Sequence, residues 1–162
     1  MKALIGNSQK CTGCHRCELW CSLHHEGVNN PSKARIHVLR REPMIDVPLV
    51  CLHCGICIKS CPFDCISFEN RTGAVVIDKG KCKNCGKCIA ACPYGMITWA
   101  GGEKKVVKCD LCGGSPECVK HCREKALEFI DSGEVAAQRR EVYARSQQSQ
   151  NIRAGAALNV HR

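Results

Sequence analysis

The sequence predicts a small α+β fold built from four cysteine-rich repeats. The repeats pair in a nested way, the second with the third and the first with the fourth. Three observations predict it. Four cysteine runs recur along the chain. The last three are each followed by a short strand pattern. Aromatic residues make up only 4% of a chain of 162 residues that carries 17 cysteines. So few aromatics leave a thin apolar core, and cross-links or metal must hold the fold.

The runs begin at Cys11, Cys51, Cys82 and Cys109. "CTGCHRCELWCS", "CLHCGICIKSCP" and "CKNCGKCIAACP" place their cysteines at gaps of two, two and three residues. The fourth run, "CDLCGGSPECVKHC", widens its middle gap to five with Gly113, Gly114 and Pro116, as a turn would require. Disulfides fit poorly: the cysteine total is odd, and "MKALIGNSQK" contains no apolar stretch of signal-peptide length. The expected compartment is the cytoplasm, where regular cysteine spacing means metal. Zinc sites pair two C-x2-C hooks across a longer gap, and a third cysteine two residues on is surplus there. It is required for a [4Fe–4S] cubane. There three thiolates of a run hold one cluster, and the fourth cysteine reaches a second cluster.

Short strand patterns follow: "CISF", "MITW" and "ALEF", then "AVVID" and "KVVK" across turn residues "ENRTG" and "AGGEKK". Two repeats around a pseudo-twofold axis can each lend a fourth cysteine to the other's cluster. Proline chooses the partners. Runs two and three end in Cys61-Pro62 and Cys92-Pro93, whereas runs one and four end in Cys21-Ser22 and Cys122-Arg123. Proline restricts its own backbone and the residue before it, so partners are expected to share it or both to lack it. The expected ligand sets are Cys51, Cys54, Cys57 and Cys92; Cys82, Cys85, Cys88 and Cys61; Cys11, Cys14, Cys17 and Cys122; and Cys109, Cys112, Cys118 and Cys21. Residues 51–98 form an inner module, and residues 1–50 plus 99–132 an outer one. Cys65 stands where the third and fourth repeats have Met96 and Ala126, so it reads as a small buried hydrophobe rather than a ligand.

Between Cys21 and Cys51, "ARIHVLRR" alternates like a strand, while Pro31, Pro43 and Pro48 mark the rest as loop. The cysteine-free extension 133–162 is expected to be a helical tail. Its arginines (Arg139, Arg140, Arg145, Arg153, Arg162) outnumber Glu134 and Glu141. Its sparse apolar stripe suggests an arm for self-association or docking. Asp110, His15, His24, His25 and His53 stand near the cluster loops and read as solvated side chains rather than ligands or proton carriers. No acid, base or nucleophile set suggests catalysis. The formal charge of +9 falls to about +1 once four clusters of about −2 each are counted. With few aromatics for base stacking, nucleic-acid binding is disfavoured. No segment is long enough to span a membrane.

C-x2-C-x2-C-x3-C-P is the bacterial ferredoxin run. The spacing, the nesting and the loose fourth run resemble the four-cluster ferredoxin-type subunits of multi-subunit oxidoreductases, over about residues 3 to 131. That resemblance implies two ferredoxin-like dicluster modules and no substrate site of the chain's own. "CTGCHRCELWCSLHHEGVNNPSKARIHV" with "KCDLCGGSPECVKHC" is similar to the polyferredoxin subunit that accompanies tungsten-containing aldehyde oxidoreductase. The likeness implies a large tungstopterin catalytic partner and a flavin-containing NAD(H)-linked subunit or ferredoxin as the other redox partner. The equivalent subunit of a formate dehydrogenase, hydrogenase, carbon monoxide dehydrogenase or other molybdoenzyme is the alternative.

Overall fold

In the computed structural model, residues 2–134, 136, 137 and 140 are described. The expected C-terminal helical tail therefore lies almost wholly outside the described residues. The elements run β1 (Lys2–Gly6), α1 (Arg16–Glu26), β2 (His37–Arg41), β3 (Ile45–Leu49), α2 (Ile56–Lys59), β4 (Ile66–Phe68), β5 (Val75–Ile77), α3 (Lys87–Ala91), β6 (Ile97–Trp99), β7 (Val106–Lys108), α4 (Glu117–Lys120) and β8 (Leu127–Asp131). Strands pair antiparallel in four two-stranded sheets: β1 with β8, β2 with β3, β4 with β5, and β6 with β7.

Every cysteine loop is wound in the same way. The residue before the second cysteine has positive φ in each run: Gly13, His53, Asn84 and Leu111. So does the residue after it: His15, Gly55, Gly86 and Gly113. Left-handed residues turn the backbone tightly and aim successive amides to one side. A helix then starts one residue before the third cysteine in all four runs. It buries Cys17, Cys57, Cys88 and Cys118. The looser spacing of run four is absorbed between Gly113 and the start of α4.

Helix α1 packs on α4, and α2 packs on α3. The Trp20 ring stacks on His121 at 3.5 Å, tying the middle of α1 to the end of α4. Two apolar cores follow this division. One gathers Leu4, Ile36, Val38, Leu111 and Leu127 around Cys17, Cys21 and Cys118. The other gathers Ile66, Val75, Ile97 and Val106 around Cys57, Cys65 and Cys88. Both strands of hairpin β6–β7 contribute to the second core, through Ile97 and Val106. Among the described residues no helix is long and apolar enough to cross a membrane.

Two sequence expectations are corrected. Pro48, read as a loop marker, lies inside β3 and pairs with Val38. A two-stranded sheet has only edge strands, where proline costs no ladder bond if its nitrogen faces away. The hairpin β2–β3 also braces run one: a Cβ at Gly13 would stand 2.4 Å from Asp46 Oδ2, and Glu18 accepts the Val38 N–H at 2.7 Å.

The second correction concerns proline. Runs one and four do not share a backbone course. Helix α1 carries Cys21 and Ser22 in its interior and ends only at Gly27, whereas α4 stops before Cys122, as α2 and α3 stop before theirs. Ser22 is fully buried, donates to Leu19 O at 2.9 Å and accepts the Asn30 N–H at 3.1 Å. Proline is excluded after Cys21 because a helix continues there. Ser22→Pro should therefore cost roughly 3 kcal/mol or more in anaerobic denaturant unfolding, whereas Pro62→Ser should have a much smaller effect. Unchanged stability of Ser22→Pro would contradict this account of α1.

Candidate metal-cluster site

None of the seventeen cysteines is joined in a disulfide. Among the described residues, three cavities are lined by four cysteines or more. One is lined by Cys51, Cys54 and Cys57 of run two and Cys92 of run three. A second is lined by Cys82, Cys85 and Cys88 of run three with Cys61 and Cys65 of run two. A third is lined by Cys109, Cys112 and Cys118 of run four with Cys21 of run one and Cys51 of run two. In the remaining set, Cys11, Cys17 and Cys122 share one apolar core. Burial pushes the Cys17 thiol up to about 12, with Glu18, Cys14 and Cys11 adding to the effect.

The backbone supplies the donors that thiolate sulfur needs. Met96 N–H donates to Cys92 Sγ at 3.3 Å, and Ala126 N–H to Cys122 Sγ at 3.2 Å. Each donor lies four residues beyond its cysteine. In run one the corresponding amide belongs to the continuing helix. The Arg35 N–H takes over and donates to Cys21 Sγ at 3.3 Å. Burial drives Cys21 up to about 11 and Cys109 to about 12, and pushes Cys118 up as well. Thiols so placed ionise only against strong positive charge, which iron provides. The convergent sulfurs and their amide donors fit iron–sulfur clusters.

Two buried cations stand among the cysteines, and sequence reasoning missed both. Arg35, 6% exposed, pairs with Glu26 at 3.4 Å and Asp110 at 3.1 Å. Lys108, 4% exposed, donates to Val75 O and to Cys109 O, the latter at 2.8 Å. Lys108 lines the run-two cavity, and Arg35 lines the run-four cavity. The sequence signal for Lys108 was its place in the strand "KVVK", immediately before Cys109. Arg35 lay within "ARIHVLRR", where alternation does not distinguish it from the exposed Arg41.

The solvated reading of the loop side chains holds for His24, which is exposed, and His15, which keeps half its side-chain area exposed beside Glu18. It fails for His25, His53 and Asp110. The Arg35 guanidinium, which can only donate, meets His25 Nδ1 at 2.8 Å. The proton of His25 therefore sits on Nε2, which lies 3.6 Å from Cys112 Sγ and 3.4 Å from Asp110 Oδ1. Burial, then Arg35, lowers the His25 pKa to about 4, so the ring stays neutral. His53 Nδ1 accepts the Val75 N–H at 2.9 Å, as Asn84 Oδ1 accepts the Val106 N–H at 2.9 Å. The two residues occupy the same place in their runs and brace each loop to the following strand. Asp110 is held by Arg35, and its Oδ1 accepts the Cys112 N–H at 3.0 Å.

Cys65 is 4% exposed and packs with Ile66 and Val75, as a small hydrophobe would. Its sulfur also lies 3.1 Å from Cys61 Sγ. Burial, then contact with Cys61, pushes Cys65 up to about 12. Cys61 is held down by Cys65 against the upward effect of its own burial. Either sulfur of this pair could donate; with Cys61 held as a cluster thiolate, only Cys65 has an S–H to give.

A family described as the 4Fe-4S dicluster domain matches residues 43–132. The polyferredoxin-like subunit of an aliphatic sulfonate oxidoreductase from Pyrococcus furiosus is 45% identical over 75% of this chain and 71% of its own. Formate hydrogenlyase subunit 2 of Escherichia coli (strain K12) is 30% identical over 82% and 83%. In two longer relatives the match spans only 27% and 29% of their length. A chain of the active-site complex BamBC of benzoyl coenzyme A reductase, solved with benzoyl-CoA, is similar over 90% of both chains, with a TM-score of 0.50 and 26% identity.

Cys65→Ala should keep its full iron content and lower the midpoint potential of one cluster by removing a hydrogen bond to sulfur. Anaerobic iron analysis and a potentiometric titration followed by electron paramagnetic resonance check both. Loss of iron would make Cys65 a ligand.

Proposed function

The chain belongs to the 4Fe-4S dicluster domain family, and on that premise we propose that it is the one-electron conduit of a multi-subunit oxidoreductase, holding four [4Fe–4S] clusters. The observation that carries this reading is the lining of three separate cavities by three cysteines of one run and the fourth cysteine of another. The proposed ligand sets are Cys51, Cys54, Cys57 and Cys92; Cys82, Cys85, Cys88 and Cys61; Cys109, Cys112, Cys118 and Cys21; and Cys11, Cys14, Cys17 and Cys122. The packing of α1 on α4 and of α2 on α3, with β1 on β8, supports nesting into an inner module (51–98) and an outer one (1–50 plus 99–132).

Such a cluster takes up and releases one electron with little change of shape. The chain's own residues hold its charge in a low-dielectric interior and set how readily it is reduced. Arg35 and Lys108 favour the added electron, as do the amides on Cys21, Cys92 and Cys122. Cys51 lines both the run-two and the run-four cavity, which suggests a contact between modules. The resulting order is run three, run two, run four, run one, with an exposed second cysteine at each end, Cys85 and Cys14. The chain supplies no catalytic group in this reading.

The relatives act as subunits: one is named for an aliphatic sulfonate oxidoreductase, another for formate hydrogenlyase. A large catalytic subunit at one end and a flavoprotein or ferredoxin at the other fits this pattern. A tungstopterin subunit that oxidises aldehydes is the specific partner proposed, with the arginine-rich 133–162 segment as an assembly arm. Cys21→Ser tests the ligand sets. Wild-type chain should carry about sixteen iron and sixteen sulfide, and the variant should lose one cluster signal, that of the run-four site. Loss confined to a run-two or run-three cluster, or a wild-type load near eight iron, would overturn the assignment.

A further inference from the structure

Resting on the electron-transfer reading, we propose that the run-three loop is the docking face for a small acidic protein electron carrier. The four loops differ in charge. Between the first and third cysteines, run three carries Lys83 and Lys87 and no acid. Run four carries Asp110 and Glu117 and no base, run two has no charged side chain there, and run one has Arg16 alone. Lys83 and Lys87 are exposed, line the run-three cavity, and form no ion pair among the described residues. The run-four acids are both neutralised, Asp110 by Arg35 and Glu117 by Lys120. Among the described residues, run three is thus the run whose loop presents a pair of exposed lysines without an ion pair around its cavity. Exposed Lys79 and Lys81 extend the patch, with Asp78 paired to Lys81 at 3.9 Å and Asp64 nearby as the opposing charges.

The same face offers the contact area that charge alone lacks. Phe63, 44% exposed, lines the cavity, and Trp99, 36% exposed, lies across Gly86, where a Cβ would stand 3.0 Å from its ring. Exposed aromatics ringed by charges of one sign match the anatomy of a transient interface. Cys85 is exposed between the two lysines, so a carrier seated there approaches a cluster ligand directly. No cysteine that lines the run-three cavity also lines the run-four cavity, whereas Cys51 lines both the run-two and the run-four cavity, which makes run three a terminus rather than a relay. Lysines at such a rim steer an acidic partner and raise its rate of encounter, steeply so at low salt. One electron leaves a [4Fe–4S]⁺ cluster, which becomes [4Fe–4S]²⁺, and reduces the oxidised carrier by one; no bond or proton moves.

The test uses the full chain, reduced with dithionite, and an oxidised acidic plant-type [2Fe–2S] ferredoxin as the probe, mixed in a stopped-flow instrument over a range of ionic strength. The wild-type rate should fall steeply with salt. Lys83→Glu with Lys87→Glu should slow the reaction at low salt at least tenfold and abolish most of the salt dependence. Lys2→Glu with Arg41→Glu, on strands of the run-one side, should leave the rate near wild type. Iron content must be equal in all three proteins, and Lys83→Gln with Lys87→Gln replaces the charge reversal if loading falls. A wild-type rate in the lysine variants, or an equal slowing in the control, overturns the proposal. So does loss, in the lysine variants, of any large subunit that co-purifies with the wild-type chain, because the catalytic partner would then be the occupant. A chain that dithionite cannot reduce would instead sink the electron-transfer reading on which the proposal rests.

Discussion

The structure depends on keeping sulfur, and the negative charge it is built to carry, inside a protein with little apolar material. Burial alone drives these thiols toward the protonated form. The fold answers with backbone amides aimed at the fourth cysteines and with two cations drawn into the interior. Arg35 is the most connected of these groups. Its amide meets Cys21, and its guanidinium fixes His25, Asp110 and Glu26. Lys108 is the counterpart, held by carbonyls of β5 and of Cys109. A protein of this size has few other ways to offset buried negative charge, and both cations lie beside cavities of cysteine sulfur.

Repetition supplies the rest of the architecture. One left-handed loop, used four times, delivers a buried third cysteine and, in three of the runs, an exposed second one. The brace between loop and following strand recurs with different chemistry: an imidazole at His53 and an amide at Asn84. Departures from the repeat occur in runs one and four, whose helices α1 and α4 pack together. Helix α1 runs on past Cys21, so its partner amide comes from another segment, and hairpin β2–β3 fills the space under run one. The longer spacing of run four changes only the approach to α4.

Much of this was legible in the cysteines, because ligand spacing is a local property of the chain. The strands after runs two, three and four were legible too, from β-branched and aromatic residues between turn signals. Pairing through β1 was not, since "KALIG" is too short to stand out and its partner, β8, lies more than a hundred residues away. Pro48 misled because proline removes a donor only where the ladder needs one. His25 and His53 misled for a related reason. A histidine beside a cysteine reads as solvated until a remote group, the Arg35 side chain or the Val75 amide, is brought to it by the fold. The absence of proline after Cys21 has a cause that the sequence did not show, since the length of α1 is set by Gly27 and by packing against α4.

The central claim is that the four repeats pair two with three and one with four, and that the modules meet at Cys51 and Cys109. Anomalous diffraction at the iron edge, from anaerobic crystals of the chain, measures this most directly. The account predicts four compact iron peaks in the spatial order run three, run two, run four, run one, with Cys21 bonded to the run-four peak. A peak shared by Cys21 and the cysteines of run two, or a run-one peak lying next to run two, would contradict it.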